Sequence, residues 1–199
     1  KTEGLQGQVQ KGKITFEAKD IFELGLDEDN GRRFDKIFAN YPFGMRIKEL
    51  GLGNQYLEQL EKRIPSVSKA TSSDWLFNSL MVDMLSEDGK AVGIMTNGST
   101  WNQSDSAIRS YFIENGLIEC VIALPARLFA GITIATSMIV FSRNNKGERL
   151  VDASELFVEG RRVNELSAEN ISLIIKATKS NSDISMYVSA EQLRDNDYV

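Results

Sequence analysis

Phe34-Asp35-Lys36-Ile37-Phe38-Ala39-Asn40-Tyr41-Pro42-Phe43-Gly44 is an apolar run that ends in a turn, and its reading decides the fold. Residues 34–39 are expected to form a buried strand. The residues after it place an amide, a rigid carbonyl-bearing turn and an aromatic face at the strand's carboxyl end, where open α/β sheets present ligands. Proline stiffens such a turn by fixing its own backbone and restricting the residue before it. Taken alone, Asn-Tyr-Pro-Phe reads equally well as an ordinary strand-ending turn, so the rest of the chain has to decide.

Working outward, Ile14-Thr15-Phe16 reads as a short strand, separated from the next by the acidic loop Asp27-Glu28-Asp29-Asn30-Gly31. Gly4, Gly7 and Gly12 lie among Gln and Lys with no apolar strand before them, and read as a flexible lead-in. Residues 45–73 mix glycine, one proline and both signs of charge, and are expected to form a mobile loop over the site. Ser73 or Asp74 can cap a helix on which Trp75, Leu76, Leu80, Met84 and Leu85 fall near helical spacing, with Asp88-Gly89 as its end. Residues 90–96 read as a strand closed by Asn97-Gly98, and residues 104–115 as a helix stopped by Gly116. Two strands follow, residues 118–124 and 132–141. The link between them is too short for a crossover helix, which argues for an antiparallel pair at one edge. Asn144-Asn145-Lys146-Gly147 is a turn, Leu150-Val151-Asp152-Ala153 a short extended piece, and Ser167 a cap for a helix from residue 168 to about 176. The final stretch is polar with isolated apolar residues and is expected to dock loosely. The alternation predicts an α/β fold, a doubly wound, mostly parallel sheet with an antiparallel edge pair.

Composition bounds the function classes. With 199 residues, 42% of them hydrophobic, the chain can bury a substantial core, and its length favours one domain. One cysteine excludes an internal disulfide framework, and no charged-then-apolar leader marks a secretory signal. The longest apolar stretch, residues 132–141, is too short to span a bilayer, and the reading is a cytoplasmic globular piece. No histidine is present, which removes Cys-His and Ser-His-Asp catalysis and the common zinc sites, so no metal is expected and Cys120 reads as a small core residue. Trp75 and Trp101 read as packing residues, although Trp101 follows a strand end and could line a cleft. A net charge of −5 argues against this piece gripping nucleic acid by itself, because phosphate neutralisation needs clustered Lys and Arg. Arg32-Arg33 is the better candidate for a phosphate contact, and Arg161-Arg162 reads as a solvated turn.

Asn40-Tyr41-Pro42-Phe43 resembles the N-P-P-aromatic signature of the amino-methyltransferases, with Tyr41 standing where that family has its first proline. From about residue 14 to the end the chain resembles the modification (M) subunit of type I restriction-modification systems, on ordered blocks. These are Ile14-Thr15-Phe16-Glu17-Ala18-Lys19-Asp20-Ile21-Phe22, the stretch 34–44, Asp74-Trp75-Leu76-Phe77, Gly89-Lys90-Ala91-Val92-Gly93-Ile94-Met95 and Ile108-Arg109. The most specific is Val121-Ile122-Ala123-Leu124-Pro125, continued by Leu128-Phe129 and Ile132-Thr133-Ile134-Ala135-Thr136. Asn164-Glu165-Leu166 and the end from Ser189 to Tyr198 look like the linker to that subunit's C-terminal helical part.

The resemblance implies a partial Rossmann-like, S-adenosylmethionine-dependent methyltransferase fold and site-specific methylation of adenine N6 in DNA. The exocyclic nitrogen of adenine is a poor nucleophile because its lone pair is delocalised into the ring. Two acceptors aimed at its N–H bonds localise that pair, and the family pattern assigns them to the Asn40 side chain and the backbone carbonyl of residue 41. Pro42 holds the turn, and Phe43 stacks on an extruded base. Tyr41 is expected to contribute only its carbonyl, so Tyr41→Pro should keep or raise activity. Asp20 and Ile21, with Asn40, are the implied contacts to S-adenosylmethionine. The glycine-rich cofactor loop of the family lies upstream of the Asp20 block and has no counterpart here, so the chain reads as a fragment holding half a cofactor site and binding the cofactor weakly. Residues 1–147 are then the C-terminal half of the catalytic domain and residues 148–199 an extension and linker. The implied partners are DNA, a specificity subunit that reads the sequence and a motor-nuclease subunit. A methyltransferase acting on protein glutamine amides and a noncatalytic scaffold for a specificity subunit are the alternatives.

Overall fold

The computed structural model describes residue 14, residues 20–24 and residues 33–199. The expected strand at residues 14–16 beyond its first residue, the lead-in glycines, the acidic loop and Arg32 lie outside the described residues. The chain divides into two units, Lys1–Gly31 and Arg32–Val199. In the first, helix α1 (Ile21–Leu24) is a single turn, and Asp20 Oδ1 accepts the Phe22 N–H at 2.9 Å at its start.

In the second unit, β1 (Phe34–Asn40), β2 (Leu85–Thr96), β3 (Ile118–Ala123), β4 (Thr136–Phe141), β5 (Gly147–Asp152) and β6 (Ser185–Ser189) form one sheet in the order β1-β2-β4-β3-β5-β6. Strands β1, β2, β3 and β5 run one way, and β4 and β6 run the other. This is the mixed α/β, mainly one-directional sheet that the alternation predicts. The antiparallel β3/β4 pair is also present, but it lies inside the sheet. Strand β4 inserts between β2 and β3, and β5 then pairs with the other side of β3. Strand β1 departs from the buried strand expected. Among the described residues it pairs on one side only, and Phe38 is 70% exposed.

The second unit also holds helices α2 (Asn54–Arg63), α3 (Ser73–Asp83), α4 (Ser106–Glu114), α5 (Ala168–Ala177) and α6 (Ala190–Asp195). Residues 45–73, read as a mobile loop, contain α2 and two short 3₁₀ turns, Ile47–Leu50 and Val67–Lys69. Tyr56, Leu60, Ile64 and Val67 are buried at helical spacing, and the Arg63 guanidinium holds both oxygens of Asp83 at 2.9–3.0 Å. Helix α3 is capped by Ser72, whose hydroxyl accepts the Asp74 N–H at 3.1 Å, one residue before the caps expected. It ends at Asp83, and Asp88-Gly89 belong to β2, where the register jumps from Phe34↔Leu85 to Lys36↔Lys90. A Cβ on Gly89 would lie 2.9 Å from Phe34 O, so the bulge needs glycine.

Helices cover both faces of the sheet. On one, Trp75 of α3 meets Phe112 of α4 edge-on at 5.2 Å, and Phe112 meets Phe141 of β4 at 5.8 Å. On the other, Ile174 and Ala177 of α5 pack on Cys120, Ile122 and Val151. Each fully buried large apolar side chain contributes roughly 1.5–3 kcal/mol. Burial pushes the Cys120 thiol up to about 12, in keeping with an unreactive core residue. The last residues dock firmly where a loose tail was expected. Arg194 of α6 clamps Glu114 of α4 at 2.6 and 2.8 Å, the Tyr198 hydroxyl donates to the same carboxylate at 2.6 Å, and Arg109 donates to Tyr198 O. The hydrogen bonds from Arg194 and then Tyr198 hold the Glu114 carboxyl down at about 2. Among the described residues no helix is long and apolar enough to cross a membrane.

Candidate functional site

Parallel pairing sets the carboxyl ends of β1 and β2 side by side, with Asn40 opposite Ile94. Asn40 is exposed, and its carboxamide makes no hydrogen bond among the described residues. Pro42 is exposed, and Phe43 is half-buried with its ring 5.7 Å from that of Phe129, tilted by 51°. Gly44 then reverses the chain at φ 69, a left-handed conformation that favours glycine. Beyond it the Ser73 N–H donates to Met45 O at 3.0 Å and Arg46 bridges to Ser72, so the exit of the turn is fastened to the head of α3.

Tyr41 points away from this surface. Its ring is 6% exposed and lies flat on Phe77, with centroids 4.7 Å apart and planes 9° apart, and its hydroxyl donates to Asn78 Oδ1 at 2.7 Å. Burial, then the nearby Asp74 carboxylate, raises the phenol well above its ordinary range, against the opposing effect of the Asn78 bond. The expectation that residue 41 supplies only a carbonyl is therefore incomplete, because the side chain anchors the turn to α3. Asp74 does similar work at the end of β2. Its Oδ2 accepts from Thr96 N–H, Thr96 hydroxyl and Ser99 hydroxyl at 2.7–3.1 Å.

Asn40, Tyr41, Pro42 and Phe43 thus form one turn with divided faces, and Asp20 and Ile21 belong to the other unit. Asp20 is exposed and spends Oδ1 on the Phe22 N–H, leaving Oδ2 as an open acceptor among the described residues, the chemistry that an adenine amine or a ribose hydroxyl requires. Phe129 was legible in the sequence only as part of a pattern. Its contact with Phe43 joins segments far apart in the chain, which no spacing reveals. Trp101, expected to pack, is 58% exposed after the end of β2. Arg161 and Arg162 are both exposed, as a solvated turn requires. No group of His, Cys, Asp and Glu among the described residues could hold a metal ion.

A cavity of about 560 Å³ lies elsewhere, lined by Trp75, Trp101, Arg109, Glu148 and Tyr198 among others, and by none of residues 40–43. Burial pushes the Glu148 carboxyl up to about 8, and its Oε1 has no hydrogen-bond partner among the described residues. Because the folded state keeps a proton that the unfolded chain releases from an ordinary carboxyl of 4.5, this group makes stability fall as pH rises from 4.5 to about 8, with the full penalty present above. Glu148→Gln should remove that slope. In urea denaturation the variant should match the wild type at about pH 4 and exceed it by roughly 2–5 kcal/mol at about pH 9. Parallel profiles for the two proteins would show that Glu148 is not the group responsible.

Residues 9–199 match the family model described as N-6 DNA methylase. The type I restriction enzyme MjaVIII methylase subunit of Methanocaldococcus jannaschii is 28% identical over 193 residues, covering 89% of this chain and 32% of that protein. The MpnII methylase subunit of Mycoplasma pneumoniae is 23% identical, covering 96% of this chain and 36% of that protein. The crystal structure of the type I restriction-modification system methyltransferase subunit from Streptococcus thermophilus superposes with a TM-score of 0.78 at 22% identity, over 94% of this chain and 41% of that one. That likeness establishes the fold. The chain spans about a third of the length of the curated relatives it matches.

Proposed function

The chain belongs to the N-6 DNA methylase family, and from that premise we propose that it forms part of a type I modification subunit that methylates adenine N6 in DNA. The observation that carries the reading is the open carboxamide of Asn40 at the carboxyl end of a parallel strand, in the same turn as Phe43, whose ring meets that of Phe129. Asn40 Oδ1 and the residue-41 carbonyl accept the two N–H bonds of the target amine and localise its lone pair. Neither oxygen is basic enough to keep a proton, so both orient the amine, and the proton that the methylated nitrogen sheds passes to solvent. Phe43 offers its face to the extruded base, and Phe129 forms a second wall. With the Tyr41 ring committed to the core, its carbonyl is what this residue has left to offer the amine.

S-adenosylmethionine, when bound, supplies an electrophilic methyl group. Asp20 and Ile21 of the first unit would hold it, Asp20 through its open oxygen. In this reading residues 1–147 are the C-terminal half of the catalytic domain and residues 148–199 its extension, continuous through the sheet because β5 pairs with β3. A net charge of −5 fits a protein that borrows its grip on DNA from a specificity subunit, with a motor-nuclease subunit as the further partner. The test is transfer of labelled methyl groups by the full-length subunit with its specificity partner to unmethylated DNA, followed by digestion to nucleosides. Label in N6-methyladenine is expected. Label in protein glutamine would favour the amide-methylating alternative, and no transfer at all the scaffold.

A further inference from the structure

Two loops leave the carboxyl ends of the adjacent parallel strands β3 and β5. The first, after β3, carries Arg127 and Phe129. Arg127 sits at φ 58, a left-handed conformation unfavourable for a residue with a side chain. The second, after β5, forms a tight hairpin in which Val158 and Glu165 exchange backbone hydrogen bonds at 2.8 and 3.0 Å. Asn164 stands at the base of that hairpin, 7% exposed. Its main-chain N–H donates to Arg127 O at 2.8 Å, and its Nδ2 donates to Ala126 O at 3.0 Å. Two successive carbonyls of the first loop are therefore held by one residue of the second. The strained Arg127 peptide is one of them.

We propose that Asn164 is the positioning residue that holds the 125–131 loop in place and thereby sets the width of the cleft between Phe129 and Phe43. The proposal rests on the reading of that cleft as the base-binding site. The rings of Phe129 and Phe43 have their centroids 5.7 Å apart. A base slid between the two rings would need about twice the 3.5–4.0 Å contact distance between carbon atoms, so the loop must yield by a small and defined amount. A loop held at two adjacent carbonyls can do so and return. It follows that the segment after β5 takes part in substrate selection through the loop it holds.

The experiment uses the full-length protein with its specificity partner. Asn164→Asp keeps the size and the main-chain donor but turns the Nδ2 donor into an acceptor facing Ala126 O. Hydrogen exchange of the Asn164 and Ile132 amides, which donate to Arg127 O and Phe129 O, should rise about tenfold, with exchange in α3 and α4 unchanged. At a temperature well below unfolding, KM for DNA should rise about tenfold with kcat within about threefold. Phe129→Ala should do the same, and the double variant should be no worse than Phe129→Ala alone, since both changes remove one element. Unchanged exchange at the Asn164 and Ile132 amides would overturn the clamp whatever the activity. Multiplying losses in the double variant would overturn its coupling to the cleft. A wild-type protein inactive on DNA, with loop exchange still raised in the variant, would instead sink the catalytic reading and leave the clamp standing.

Discussion

Asn40→Ala in the full-length protein is expected to lower methyl transfer to DNA by about two to three orders of magnitude, with cofactor affinity and thermal stability close to wild type. The size follows from what the side chain is proposed to do. It accepts a hydrogen bond that strengthens as the amine lone pair localises, so its loss is felt in the transition state more than in binding. The selectivity follows from its surroundings, because the carboxamide is exposed and makes no hydrogen bond among the described residues, so truncation leaves nothing unsatisfied. Labelled-methyl incorporation, calorimetric titration of S-adenosylmethionine and a melting curve read the three quantities. Near-normal incorporation would make Asn40 a mere turn residue.

The second large effect falls on stability. Tyr41→Pro, which by family pattern alone should stiffen the turn, removes a buried ring stacked on Phe77 and the partner of Asn78 Oδ1. Loss of a buried aromatic of this size costs about 3–5 kcal/mol, far more than the roughly 0.4–1 kcal/mol a proline contributes where the backbone suits it. Tyr41→Phe keeps the ring and should cost about 1–2 kcal/mol for the unsatisfied Asn78 oxygen. Methyl transfer by the Phe variant, assayed well below its melting temperature, should stay near wild type because the backbone carbonyl remains. A melting temperature for Tyr41→Pro equal to that of wild type would show that the ring is not an anchor, and a large loss of activity in Tyr41→Phe would give the hydroxyl a role in the reaction.

Tyr41 also marks the boundary between what is local and what is not. The turn from Asn40 to Gly44 was legible because a strand's end, a proline and a glycine act on their immediate neighbours. The cap at Ser167 and the stop at Gly116, with φ 60, belong to the same class, since each satisfies backbone groups within one turn of chain, while the cap of α3 fell on Ser72, one residue before the Ser73 or Asp74 expected. The helix in residues 45–73 was written in the spacing of Tyr56, Leu60, Ile64 and Val67 but masked by polar residues between them. Asp88-Gly89 was misread for a different reason. A glycine that ends a helix and one that admits a neighbouring strand have the same local signature, and the choice depends on Phe34, which lies far away in the chain.

The sequence by itself determined the α/β class, the family and the turn that carries Asn40, because periodicity, capping and short motifs are set by residues close together along the chain. Tertiary structure alone decided that β4 runs between β2 and β3, that Tyr41 turns inward onto Phe77 and Asn78, that Phe129 meets Phe43, and that Asn164 holds the loop bearing Phe129. Each of these is a contact between residues separated by dozens of positions. Its energy depends on packing and desolvation at the meeting point, quantities that exist only once both segments have been brought together.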